Sequence, residues 1–222
     1  MRTRLLLYFI LTLTISCFAQ EDKYTKTMSK TMMMMDSART NVDFVNLSNA
    51  FERIAKAEKS KWIPYYYAAE CQIMASFMDS VNGKKDSYLD KADIYLTIAD
   101  SLQPNDSEIY TLKGFSAQMR MVVNPMQRWQ KYGELSNSLF EKAKELNPDN
   151  PRPDYLVGQA LLYTPEAFGG GKKNALPVLK QSQEKYKKFK PETSISPNWG
   201  GSILNNLLKS LEEDSTKTGT SK

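Results

Sequence analysis

Apolar residues recur at intervals of three and four along the chain, as in Phe44, Leu47, Phe51 and Ile54, which is the spacing of one buried helix face. No stretch alternates apolar and polar residues as a half-buried strand does, so the pattern predicts an all-α protein over residues 22–213. Punctuation agrees with this reading. Thr40 and Asp43 make a capping-box signature before one helix. Ser196-Pro197 offers an N-cap and a first-turn proline before another, so a closing helix is expected over 197–213, followed by a disordered polar tail at 214–222.

Two blocks align at a constant offset of 44 residues. Ala92, Leu96, Ala99, Leu102 and Pro104, followed by Tyr110 and Gly114, match Ser136, Phe140, Ala143, Leu146 and Pro148, followed by Asp154 and Gly158. A fixed spacing of small residues and prolines means that each helix pair packs on the next in the same way. Small residues let helix backbones approach closely, and the proline ends one pair before the next begins. Upstream, Ala50, Ile54 and Ala57 suit the second helix of a first pair, and Trp62 opens the second, where either Ala68 or Ala69 takes the small position. Downstream, Ala175, Leu179 and Ser182 suit the second helix of a fourth pair.

These strings, above all Ala99-Asp-Ser-Leu-Gln-Pro104 and Ala143-Lys-Glu-Leu-Asn-Pro148, resemble the tetratricopeptide (TPR) family. The resemblance implies an α-solenoid of about four helix-turn-helix repeats, at about 23–60, 61–106, 107–150 and 151–190, with the closing helix as cap. Repeats two and three are longer than the family norm, with the excess around Met78 to Tyr88 and Met121 to Gly133, read as long loops suited to a partner-specific contact. Lys113 stands beside Gly114 where the family carries an apolar residue.

The resemblance also implies a concave groove, lined by the first helix of each repeat, that takes a protein or peptide partner. Its expected lining is Glu108, Thr111, Phe115, Gln118 and Met119 in repeat three, and Arg152, Tyr155, Gln159, Leu162 and Tyr163 in repeat four. Trp62, Tyr65 and Gln72 are looser candidates in repeat two. Stacked repeats share one continuous core, so burial of several of these between repeats is the competing reading.

Composition narrows the chemistry. The 222 residues include 30 Lys+Arg, 25 Asp+Glu, 2 Cys and no His, so histidine bases, histidine metal sites and Ser-His or Cys-His nucleophiles are excluded. No paired carboxylates for glycoside hydrolysis stand out, and the sequence calls for no enzyme activity, cofactor or metal. Arg2 and Arg4 followed by the weakly polar-to-apolar run Leu5 to Ala19 read as a secretory leader over residues 1–19. Export to a bacterial periplasm, outer membrane or medium follows, with lipidation at Cys17 as a rival processing route. Without Arg2 and Arg4 the balance falls to 28 bases against 25 acids, which does not imply nucleic acid. Cys71 is then the remaining cysteine and reads as a buried thiol.

Two further features are candidates. Gly169-Gly170-Gly171 before Lys172 and Lys173 could cradle an anion at a helix N-terminus, which makes a small-molecule or anion-binding accessory protein the alternative to the groove. A flexible turn is its simpler reading. Seven lysines between 172 and 190 face one acid, Glu184, and read as a solvated face. Met28, Met32 and Met35 share a face of the first helix and read as adaptable core rather than as a copper(I) site.

Overall fold

The computed structural model describes residues 23–80 and 82–219; the leader expected over residues 1–19, Cys17 included, lies outside them. Every regular element among the described residues is helical, as the spacing predicts. Helix α1 covers residues 23–35. It is followed by α2 (Asn41–Ala57), α3 (Ile63–Met78), α4 (Asn82–Leu102) and α5 (Ser107–Val123). A short α6 (Pro125–Arg128) then runs through a π-helical turn, Trp129–Gly133, into α7 (Glu134–Leu146), and α8 (Arg152–Tyr163), α9 (Lys172–Lys188) and α10 (Gly201–Gly219) complete the chain.

Local chemistry sets the ends. The Thr40 hydroxyl accepts from the Asp43 N–H while the Asp43 carboxylate accepts from the Thr40 N–H, closing the expected capping box of α2. Asp106 caps α5 by accepting from the Glu108 and Ile109 amides. Pro64 and Pro153 sit in the first turns of α3 and α8, where a missing N–H costs nothing.

Successive helices pack as antiparallel hairpins. Arg120, late in α5, reaches Asp90 and Asp93 in the first half of α4 at 2.8 and 2.7 Å. Ser107 at the start of α5 donates to the carbonyl of Ala143 near the end of α7. Lys185 in α9 pairs with Asp154 in the first turn of α8 at 2.5 Å. The first helices of successive pairs therefore run parallel, because Glu108 and Arg152, both in first turns, meet at 2.8 Å. The small positions do equivalent work: a Cβ on Gly114 would meet the Phe140 ring at 2.6 Å, and one on Gly158 would meet Leu179 at 2.6 Å.

The core has two parts. Tyr24, Met28, Phe51, Tyr67, Ile73 and Leu112 belong to a large cluster from α1 to α5. Phe140, Leu156, Leu179, Leu204 and Leu208 belong to a smaller one under α10. Phe115 and Trp199 pack against both. Met28 is fully buried, Met32 and Met35 are half-buried, and Met33 and Met34 are exposed, so the methionine face does pack inward. Cys71 is buried and free, with its thiol pushed well up by burial and then by Glu70.

Three details differ from the sequence expectations. The closing helix begins at Gly201, not at 197: Gly200 takes a left-handed φ of 99°, and the Pro197 carbonyl is held by Arg152. It also continues through Gly219, so the backbone of 214–219 is helical rather than a disordered tail. The extra length after Met78 is not a loop but a longer helix, since α4 has 21 residues. The extra length after Met121 forms α6 and the π-helical turn.

Candidate functional site

Parallel first helices give the array two distinct edges, one at the N-terminal ends of α3, α5 and α8, the other at their C-terminal ends.

At the N-terminal edge, side chains from all three helices converge on Arg152, which is fully buried. Its Nη1 donates to Glu108 at 2.8 Å and its Nη2 to the Pro197 carbonyl at 2.7 Å. Its guanidinium lies 4.6 Å from the Phe189 ring centre, 5.3 Å from Trp199 and 5.9 Å from Tyr186, the packing that weakly hydrated arginine favours. The Trp199 indole donates to the Tyr66 hydroxyl at 2.8 Å, and that hydroxyl donates to Glu108 at 3.4 Å. A second carboxylate, Glu70, is buried in the same region, its Oε2 without a hydrogen-bond partner. Burial pushes Glu70 up to about 8 against the pull of Arg152. Burial likewise lifts Glu108 to about 7. Burial opposes the charge of Arg152, but the neighbouring carboxylates, Glu108 first, keep its pKa raised.

Beside this cluster opens a cleft of about 840 Å³, within the range of small-molecule sites. Trp62 and Glu108 form one side of it, and Lys185, Phe189, Pro191 and Pro197 are among the residues of the other.

The C-terminal edge is built in the opposite way. Phe77 (58% exposed) and Met78 end α3, Val122 ends α5, and Tyr163 (75% exposed) ends α8. The connections at this edge add Met126 (87%), Trp129 (62%) and Phe168 (82%). Met126 and Trp129 are three residues apart on one turn of α6 and its π-helical extension. Exposed lysines accompany them: Lys84 at the start of α4, Lys131 in the π-helical turn and Lys173 at the start of α9.

The groove residues expected from the sequence are mostly spent on packing. Thr111 is fully buried and donates to the Ser107 carbonyl. Gln118 is buried. Gln72 is buried and donates to Ser48. Tyr155 is buried with its ring edge-on to Trp199 at 6.4 Å, and Glu108 and Arg152 pair with each other. Tyr65 is half-buried against Tyr95 at 6.3 Å, Phe115 joins the two core clusters, and Gln159 and Leu162 are half-buried, as is Met119. Trp62 lines the cleft at the N-terminal edge. Of the expected lining, Tyr163 alone is largely exposed, and it lies at the apolar edge.

The glycine loop is likewise committed internally. The Gly169, Gly170 and Gly171 amides donate to the carbonyls of Glu166, Pro165 and Leu161, and the Lys172 ammonium donates to the Leu211 carbonyl. No amide of Gly170 or Gly171 is left to hold an anion, and Lys173 is the member of the motif whose side chain is exposed. The lysine-rich face is also partly paired, through Lys185 with Asp154 and Lys187 with Glu184.

Sequence reasoning named parts of both edges, Trp62, Glu108 and Arg152 at one and Tyr163 with the stretches after Met78 and Met121 at the other, without assembling either. The apolar one carried a usable signal: the 44-residue offset that aligns Gly114 with Gly158 also aligns Phe77-Met78 with Met121-Val122. The same offset puts Glu108 in register with Arg152, both of them expected lining, but nothing in the spacing showed that they pair with each other or that Glu70 is buried near them.

The class these features define is a stacked-hairpin helical protein with a ligand-sized cleft at one edge and an apolar surface at the other. No protein-family model and no curated protein matches the chain. Among solved structures it is similar to the HusA haemophore from Porphyromonas gingivalis, at 37% identity and a TM-score of 0.75 over 83% of this chain and 90% of that one. At that identity and coverage the chain belongs to the same family as that haemophore. Among the described residues no helix is long and apolar enough to cross a membrane.

Proposed function

We propose that this protein is an exported, non-enzymatic haem-binding protein that captures the macrocycle at its apolar edge. The observation that carries the reading is the 37% identity to a haemophore over nearly the whole of both chains. It favours a small-molecule ligand over the peptide groove that the tetratricopeptide resemblance implies.

The chemistry of the edge fits such a cargo. Haem is a broad flat apolar ring with two carboxylates on one side. Trp129, Tyr163 and Phe168 supply aromatic faces, Met126 and Met78 supply adaptable thioethers, and Lys84, Lys131 and Lys173 are exposed cations for the carboxylates. With no histidine in the chain and Cys71 buried, the described residues offer the iron neither imidazole nor an accessible thiolate. The cleft at the other edge is a poorer fit, since acids and lysines share its walls and no tyrosine or methionine is among its lining residues.

The repeat architecture is TPR-like in this proposal. Its support is the common role of Gly114 and Gly158, each holding a second helix at close approach. A receptor that accepts the cargo is the protein partner that this reading calls for.

The test is an absorbance titration with haem, comparing the natural chain with a Met126→Ser/Trp129→Ser double variant. Losing two apolar contacts of about 1–2 kcal/mol each should weaken binding by about thirtyfold to several-hundredfold. A natural chain that leaves the haem spectrum unchanged would sink the reading.

A further inference from the structure

The turns of the C-terminal edge form one row. Helix α1 starts beside the opposite edge, since the Lys61 ammonium of the α2–α3 connection lies 5.4 Å from the Tyr24 ring centre. Its last turn and the α1–α2 connection therefore join the row. Asn41 at the start of α2 reaches the Tyr88 hydroxyl, in the second turn of α4, at 3.5 Å, which puts that connection beside the α3–α4 turn. The row then holds four successive turns.

Every turn carries exposed apolar side chains. Met33, Met34 and Val42 flank the first, and Phe77 and Met78 the second. Val122, Met126, Trp129 and Leu135 lie about the third, and Tyr163 and Phe168 about the fourth. Among the described residues, the other large exposed apolar side chains are Ile94 and Ile203. Packed neighbouring helices lie about 8–10 Å apart, so the row is several helix diameters long. One macrocycle held among Met126, Trp129 and Phe168 leaves its first two turns uncovered. An apolar surface of that extent marks a contact with a protein or a membrane.

Charge and side-chain type decide between the two. Each turn is followed by an exposed base: Arg39, Lys84, Lys131 and Lys173. The exposed acids of these turns are Asp36, Glu134 and Glu166, while Asp43 is taken up in the α2 cap and Asp86 by Arg128. Lys85, half-buried early in α4, adds to the positive side. Apolar tips between bases, with the amphipathic rings of Trp129 and Tyr163 among them, are the pattern of side chains that enter a bilayer interface while their cations stay with the headgroups. The core of a protein–protein interface is instead depleted of lysine.

We propose that this edge docks on the surface of an anionic bilayer, its four turns entering the headgroup region side by side and their bases meeting lipid phosphates. The contact is peripheral, as no described helix is long and apolar enough to cross. It goes beyond the haem reading and does not rest on it.

Flotation of the full chain, without haem, tests this with vesicles of phosphatidylglycerol and phosphatidylcholine in equal parts and with phosphatidylcholine alone. The natural chain should bind the mixed vesicles about fivefold or more tighter than the neutral ones. Met33→Ser/Phe77→Ser should weaken binding to the mixed vesicles about tenfold or more. Met33 and Phe77 are not among the residues assigned to haem, so this variant should titrate haem in solution as the natural chain does, and failure of the haem reading leaves the vesicle result standing. Lipids with brominated acyl chains should quench Trp129 in the natural chain but not Trp62 and Trp199 at the other edge, so the quenching should vanish in Trp129→Phe. A natural chain that stays off both vesicles overturns the proposal, whether sedimentation then shows a dimer or a protein is found on the edge. Equal binding to the two vesicles, equal binding by Met33→Ser/Phe77→Ser, or quenching that survives in Trp129→Phe overturns it as well.

Discussion

The two edges of the array invert the usual distribution of residues, and in opposite senses. At the N-terminal ends of α3, α5 and α8 an arginine and Glu70 are withdrawn from water and Glu108 is half-buried beside them; at the C-terminal ends two methionines, a valine, a tryptophan, a tyrosine and two phenylalanines are left in it. Each inversion costs free energy, and each is confined to one edge. The polar inversion borders the cleft at Glu108 and ties distant parts of the chain together, as Tyr66 to Trp199 shows across 133 residues. It acts on the fold. The apolar inversion leaves its side chains exposed, on the surface that the proposed reading gives to a ligand.

The largest effect should come from breaking the polar edge. Arg152→Ala would leave the buried Glu70 and the half-buried Glu108 without this cation and the Pro197 carbonyl without its donor. Removing one partner of a buried pair costs about 3–5 kcal/mol, so chemical denaturation should show a loss of that order. A loss below about 1 kcal/mol would show that water already reaches the cluster and that the two edges are less different than described.

A smaller effect follows from pH. Folding raises Glu70 to about 8 and Glu108 to about 7 from an ordinary value of 4.5, so the folded chain binds more protons than the unfolded one. Stability from these groups is therefore complete below about pH 4.5 and is lost as pH rises through 7 and then 8. Thermal melts should show the midpoint falling from pH 6 to pH 9, and Glu70→Gln should flatten most of that slope. A midpoint that rises over the same interval would contradict the burial of these carboxyls.

The difference between the edges also explains what was legible in the sequence. Helix positions, the Thr40–Asp43 box and the buried small residues at 92, 99, 114, 143 and 158 follow from local spacing, and all appear as expected. The start of α10 was misplaced by four residues because Ser196-Pro197 satisfies a local start rule, while the backbone there is claimed by Arg152, 45 residues away. Groove residues failed for a related reason. A helix face turned toward a neighbouring repeat and one turned toward a partner carry the same 3.6-residue period, so Thr111 and Tyr155 could not be told from Tyr163.

The smallest expected effect is on stability at the apolar edge, and it separates the two edges most sharply. Met126 and Trp129 are 87% and 62% exposed, so replacing both with serine removes little burial. Surface substitutions of this kind change stability by about 0.5 kcal/mol or less. Denaturation midpoints of the Met126→Ser/Trp129→Ser variant should match those of the natural chain even as haem binding weakens. A loss of several kcal/mol would mean that α6 and its π-helical turn hold the repeats together. The apolar edge would then be a second structural seam, exposed but needed for folding, and the division between a folding edge and a binding edge would fail.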